Sequence, residues 1–368
     1  MSLYEPADGI LETHVTWEDV ESDLQKKLGT KATFGPNKKA VNISDLKGFM
    51  SRIALVEPDW QNVENGKELP QKFALKISSQ LALVALSKLM NFEDGQGFGE
   101  EKLKKMSALT KEFHNREVDA YKILMKFDHP DIPYTKVYSL KSFDDENDLK
   151  GYMAIEFISN IHQIEMFRSI PADDLFPLVR GIATFAVLSE SLSPEETKYM
   201  MGQDYLEMLF KEFFNDAELA RKFEGLRKLA NKEEGKLTLE AMIDWQVVCR
   251  MPPGLDLSRL MLQCLSETDR RERGTEILKC YYDTFTSVYG EELFSLHELQ
   301  ESYNLYAPMM AMLLIPDIYS IIDSAKLSEE EKEVVRKDVM RKIIDMMEDI
   351  IDIHDYNLEH YSDFLKVE

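Results

Sequence analysis

The chain has 368 residues, 44% hydrophobic and 30% charged, enough to bury a large core as one bilobed unit or two tightly joined ones. Its 67 Asp and Glu outnumber 44 Lys and Arg, the formal charge is −23, and no basic cluster offsets it locally, which excludes nucleic acid and acidic membrane surfaces as favoured partners. No apolar run reaches membrane-spanning length, and the N-terminus lacks a basic flank followed by an apolar core. The three cysteines (Cys249, Cys264, Cys280) lie in apolar segments, so a cytoplasmic protein with buried reduced thiols is expected, without a disulfide frame or zinc site.

Up to about residue 160 the texture is β-like. "GFMSRIALVEPDW" (48–60), "QKFALKISS" (71–79), "YTKVYSL" (134–140) and "KGYMAIEFI" (150–158) are rich in branched and aromatic residues and bounded by turn formers. One long helix is predicted among them over 99–127, with Leu103, Met106, Leu109, Phe113, Val118, Tyr121 and Leu124 at mainly helical spacing, after a flexible loop at 91–99. From residue 162 onward helices dominate: 171–192, 193–214 with a capping-box start "SPEE", and the amphipathic segments from 256 to the C-terminus. The one strand-like break is "LTLEAMIDWQVV" (237–248).

Four groups of residues carry potential chemistry. Lys76 lies inside a half-buried strand, where an ammonium needs a partner, and Glu117 on the 99–127 helix is the candidate. Taken singly, a lysine reaching solvent and a surface acid are the commoner fates. Gly48 to Ser51 form a turn between strands that could cradle phosphates, though the several glycines of a protein-kinase loop are missing. Glu156, Phe157 and Ile158 end a strand where exposed backbone could read an adenine edge, or merely lead into a connector. Asp244 ends the buried strand "LEAMI", where a carboxylate is costly unless it holds a cation such as Mg²⁺ or caps a turn. Asp256, before "LSRLM", reads as a helix N-cap. The Met-rich "APMMAMLLIPDIY" suits a hydrophobic ligand pocket and a plain core alike.

These stretches, with "VTWEDVESDLQKKLGTKATFG", "EFHNREVDAYKIL" and above all "AMIDWQ" followed by "GLDLSRL", resemble the CHK-kinase-like (ecdysteroid-kinase-like) family in its nematode branch, related to choline kinases and aminoglycoside phosphotransferases. The resemblance covers most of the chain. It implies an α+β, bilobed protein-kinase-like fold, with a small mixed β lobe (1–158) that binds nucleotide and a larger helical lobe (159–368). It further implies a small-molecule kinase using ATP and Mg²⁺ on a hydroxyl acceptor, such as a hydrophobic or amphipathic alcohol. Lys76 and Glu117 would anchor ATP, and Asp244 would hold the metal.

The departure is equally plain. The family carries an H-G-D-x-x-x-x-N loop shortly before "IDWQ", whose Asp is the catalytic base and whose Asn binds metal. Here "FEGLRKLA" runs straight into "NKEEGKLTLEAMIDWQ", so no catalytic residue is assigned. "HPD" (129–131) and "IHDYN" (353–357) have the wrong position or spacing to replace it. Three readings follow: an impaired kinase, a pseudokinase or binding module, or a shortened form of an active kinase.

Overall fold

The computed structural model describes residues 1–44, 50–89, 98–159, 168–198, 248–324 and 328–362, together with Met200, Gly202 and Met242. The segments expected as a loop at 91–97 and a turn at 45–49, Asn160, most of the helix expected beyond 198 and nearly all of the 237–248 break lie outside the described residues.

After a 3₁₀ turn (Ile10–Glu12), the first helix, α1 (Trp17–Leu28), falls in a stretch that the β-like texture did not suggest as helical. Its signal is local. Thr16 and Asp19 exchange side-chain and backbone hydrogen bonds in a capping box, and Gly29 ends the helix with φ 61°. Strands β1 (Thr33–Phe34), β2 (Lys39–Asn42), β3 (Ser51–Glu57), β4 (Trp60–Gln61) and β5 (Phe73–Ser78) follow. Then come α2 (Leu81–Leu89), also unforeseen, α3 (Glu100–Phe127), β6 (Val137–Lys141) and β7 (Tyr152–Glu156). β1 pairs with β4, and the main sheet has the order β2-β3-β5-β7-β6 with every pairing antiparallel.

The two faces of that sheet are covered differently. Phe73, Leu75, Ile77, Ala54, Val56, Tyr152 and Ala154 form one core with Val20 and Leu24 of α1. On the other face, Met153 meets Val118, Tyr121 and Leu124 of α3, with Ile132. α3 grips the sheet with apolar residues only in its C-terminal half. In its N-terminal half only Thr110 is buried, the expected Leu103, Met106, Leu109 and Phe113 being half-buried, and the polar His114 and Glu117 are buried just before the apolar run that starts at Val118.

The remaining elements among the described residues are helices: α4 (Ala172–Ser189), α5 (Pro194–Thr197), α6 (Gly254–Cys264), α7 (Glu267–Tyr289), α8 (Leu296–Ser324) and α9 (Glu329–His360). The fold is therefore α+β, a small sheet region joined to a larger helical part. One large core unites Leu175, Val179, Leu257, Ile277, Ala307, Met310, Leu314 and Met346, so the Met-rich segment of α8 is packing. The three cysteines are free and half-buried rather than fully buried. Among the described residues no helix is long and apolar enough to cross a membrane.

One assignment is corrected here. Asp256 is not an N-cap: α6 starts at Gly254 after Pro253, so Asp256 sits inside the first turn. Proline, fixed at helical φ, sets the cap at Pro253, three residues earlier than the Asp256 side chain would.

Candidate functional site

Period-two alternation decides where Lys76 points. Phe73, Leu75 and Ile77 of β5 face α1, so Ala74, Lys76 and Ser78 face α3. Lys76 stands mid-sheet, in register with Ile53 of β3 and Met153 of β7. The helical period of α3 turns Glu117 toward it. Lys76 Nζ donates to Glu117 Oε1 at 2.8 Å and Oε2 at 2.7 Å. The two side chains are only 12% and 2% exposed.

Such a desolvated pair is a poor way to gain stability, because apolar residues of similar volume often do as well. It is a good way to hold an ammonium at a fixed point beneath a sheet. A lysine on the third strand of the sheet, paired with a glutamate on the helix that follows, is the arrangement that positions ATP phosphates in kinases.

The other expected positions fall at the two ends of the sheet or outside the described residues. Ser51 is the first residue of β3, buried and opposite Ser78, on the same sheet face as Lys76 and two residues along. The Ser79 N–H donates to the Met50 carbonyl at 3.1 Å. Gly48 lies outside the described residues. Glu156 ends β7 at the opposite end, exposed, followed by Phe157 and Ile158. The Glu156 N–H donates to the Lys136 carbonyl at 2.7 Å.

Asp244 lies outside the described residues; two positions before it, the Met242 N–H donates to the Pro133 carbonyl at 2.8 Å. Among the described residues no group of three His, Cys, Asp or Glu is placed to hold a metal. Asp352, Asp355 and Glu359 are exposed along α9.

A cavity of about 560 Å³ opens in the helical part, lined by Ile182, Phe185, Met200, Met242, Met251 and Asp256 among others. The Asp256 carboxylate is open to the cavity yet ringed by protein, and this desolvation raises its pKa against the lowering pull of Arg259. The same surroundings push the Cys249 thiol up to about 11. Sequence reasoning missed this cavity, since its residues come from four separated segments.

The sequence matches the profile of the family DUF1679, described as "Uncharacterized oxidoreductase dhs-27", over residues 3–234 and 229–358. The chain belongs to this family. A similar protein is the uncharacterized kinase-like protein D1044.1 of Caenorhabditis elegans, 27% identical over 129 residues. That match spans 33% of this chain and 34% of the relative, so the chain aligns with only about a third of it. Among solved structures, a Ralstonia eutropha protein assigned as an aminoglycoside phosphotransferase aligns over 92% of this chain and 97% of its own, at 12% identity and TM-score 0.43. The microcompartment-associated aminopropanol kinase aligns over 89% and 95%, at 12% identity and TM-score 0.38.

Proposed function

We propose that this DUF1679 chain is a nucleotide-binding, kinase-like protein of the small-molecule phosphotransferase type, with its transfer step impaired. The observation that carries the reading is the buried Lys76–Glu117 pair on the central strand and the crossing helix. The ammonium would contact the α- and β-phosphates of ATP, with the Gly48–Ser51 turn over them and Phe157 and Ile158 at the base. Asp244 would hold Mg²⁺ by a hard oxygen. In transfer, an acceptor hydroxyl attacks the γ-phosphorus, the bond to the β-phosphate oxygen breaks, and a base takes the hydroxyl proton. The resembled family supplies that base and a second metal ligand from a loop this sequence lacks, and positioning and charge carry most of this chemistry.

The family match supports the deletion. It comes as two segments that meet at 229–234, where "LRKLANKEE" replaces the expected loop. The oxidoreductase in the family's description belongs to the member it names. A dinucleotide fold needs parallel strands, and every strand pairing among the described residues is antiparallel. A pseudokinase, or a shortened form of an active kinase, remains the alternative; the transcript across the codons for 229–231 separates the two.

Thermal-shift titration with ATP, with and without Mg²⁺, tests the proposal. Binding should be weak, Lys76→Ala should weaken it about tenfold, the loss of one charge-assisted phosphate contact, and Asp244→Ala should abolish its Mg²⁺-dependent part. An equal nucleotide shift in all three proteins would sink the assignment.

A further inference from the structure

The apolar grip of α3 on the sheet begins at Val118, and Glu117, at that boundary, lies within hydrogen-bond distance of Lys76. The residues just before it are held by polar contacts. The Asn115 side chain meets both backbone groups of Phe143: the Phe143 N–H donates to Oδ1 and Nδ2 donates to the Phe143 carbonyl, each at 2.9 Å. In doing so it pairs like a strand residue, although it belongs to a helix. One residue earlier, the His114 ring nitrogen Nε2 donates to the Lys141 carbonyl at 2.8 Å. A carbonyl can only accept, so Nε2 carries the proton and the buried Nδ1 is bare.

The bracket that receives these bonds is itself braced. Phe143 is 6% exposed, with its ring edge-to-face with His114 at 5.2 Å. It also presses so closely on Gly151 that a Cβ there would strike the ring. Asn147 Nδ2 donates to the Ser142 and Lys150 carbonyls at 2.8 and 3.0 Å, closing the connection between β6 and β7. Gly151 then accepts from the Ser78 N–H at 3.0 Å, two residues from Lys76. The path is closed: α3, Asn115, Phe143, Gly151, β5, Lys76, Glu117 and back to α3.

We infer that His114 and Asn115 are positioning residues, which staple α3 to the β6–β7 connection in the setting that presents Glu117 to Lys76. They lie three and two positions before Glu117, within about 4.5 Å along the helix axis. Hydrogen bonds fix distance and direction where a hydrophobic contact would allow the helix to slide. The consequence for nucleotide rests on the function proposed above; the staple itself does not.

Two variants test it: Asn115→Ala, and the milder Asn115→Asp, which keeps the acceptor and loses the donor. In nucleotide-free protein, amide exchange across 105–118 should accelerate about tenfold in either, with α1 and β5 unchanged, as losing one or two net hydrogen bonds implies. For Mg²⁺–ATP, Asn115→Ala should raise Kd about as much as Lys76→Ala, and the double variant should bind no more weakly than the worse single one. Unchanged exchange in α3, or a rise spread evenly through the protein, overturns the staple. Additive losses in the double variant overturn its action through Lys76. If the unaltered chain binds no ATP, the proposed function falls, and the exchange measurement alone decides the staple.

Discussion

His114 is neutral in the folded chain at any ordinary pH. Burial strips water from its ring and lowers its pKa from 6.5 to about 4, the Lys76 charge adds to this, and the hydrogen bond to the Lys141 carbonyl only partly opposes it. In the unfolded chain the ring takes a proton near 6.5, so between 6.5 and about 4 the unfolded state binds more protons. Stability is therefore full above 6.5 and falls as pH drops toward 4, by at most about 3 kcal/mol from this group. Chemical denaturation at pH 7, 5.5 and 4.5 should show a shallower loss for His114→Phe than for the unaltered chain. Equal slopes would mean that the ring does not carry the effect.

Helix crossings show the same dependence on a single atom. Gly254 opens α6 against α8, and its N–H donates to Ser302 Oγ at 3.2 Å. A Cβ there would fall inside the Ser302 backbone, which cannot step aside without moving α8. Gly274, in the interior of α7, is different. A Cβ would meet only the terminal methyl of Met261 at 3.1 Å, and that group can rotate away. Gly254→Ala should cost on the order of 2–3 kcal/mol by overpacking. Gly274→Ala should be neutral or stabilising by up to about 1 kcal/mol, because it removes the helix penalty of glycine. Melting temperatures of the two variants check the contrast, and similar losses in both would refute it.

For the whole molecule, the decisive feature is the junction at 230–231. The strand ending in "IDWQ" pairs, in the resembled family, with a strand that follows the catalytic loop, and both would be absent here. Unpaired backbone beside an apolar face is costly and promotes aggregation. Inserting an H-G-D-x-x-x-x-N loop and its strand between Ala230 and Asn231 should raise solubility and melting temperature and bring back ATP turnover. If both proteins melt cooperatively at one temperature and neither turns over ATP, the shorter chain is a settled pseudokinase.

Strands β3, β5, β6 and β7 and the long α3 were legible from local pattern, because alternation and helical period are written residue by residue. The choice of Lys76 and Glu117 was legible too, since a charge amid apolar neighbours calls for a partner. α1 was missed although its capping box is local, because its apolar stripe is thin: Val20 and Leu24 are its only buried residues. The staple was hidden more deeply. "HN" in a helix looks like a pair of solvent-facing side chains, and only the packing of α3 on the β6–β7 connection, 28 residues away along the chain, turns Asn115 inward to Phe143. The cavity around Asp256 was likewise invisible, and the start of α6 was misplaced by a carboxylate that looked like a cap. Sequence by itself determined which segments repeat with which period and which charges demanded company. Tertiary structure alone decided which polar groups meet, because hydrogen bonds between distant segments depend on directions that no local periodicity encodes.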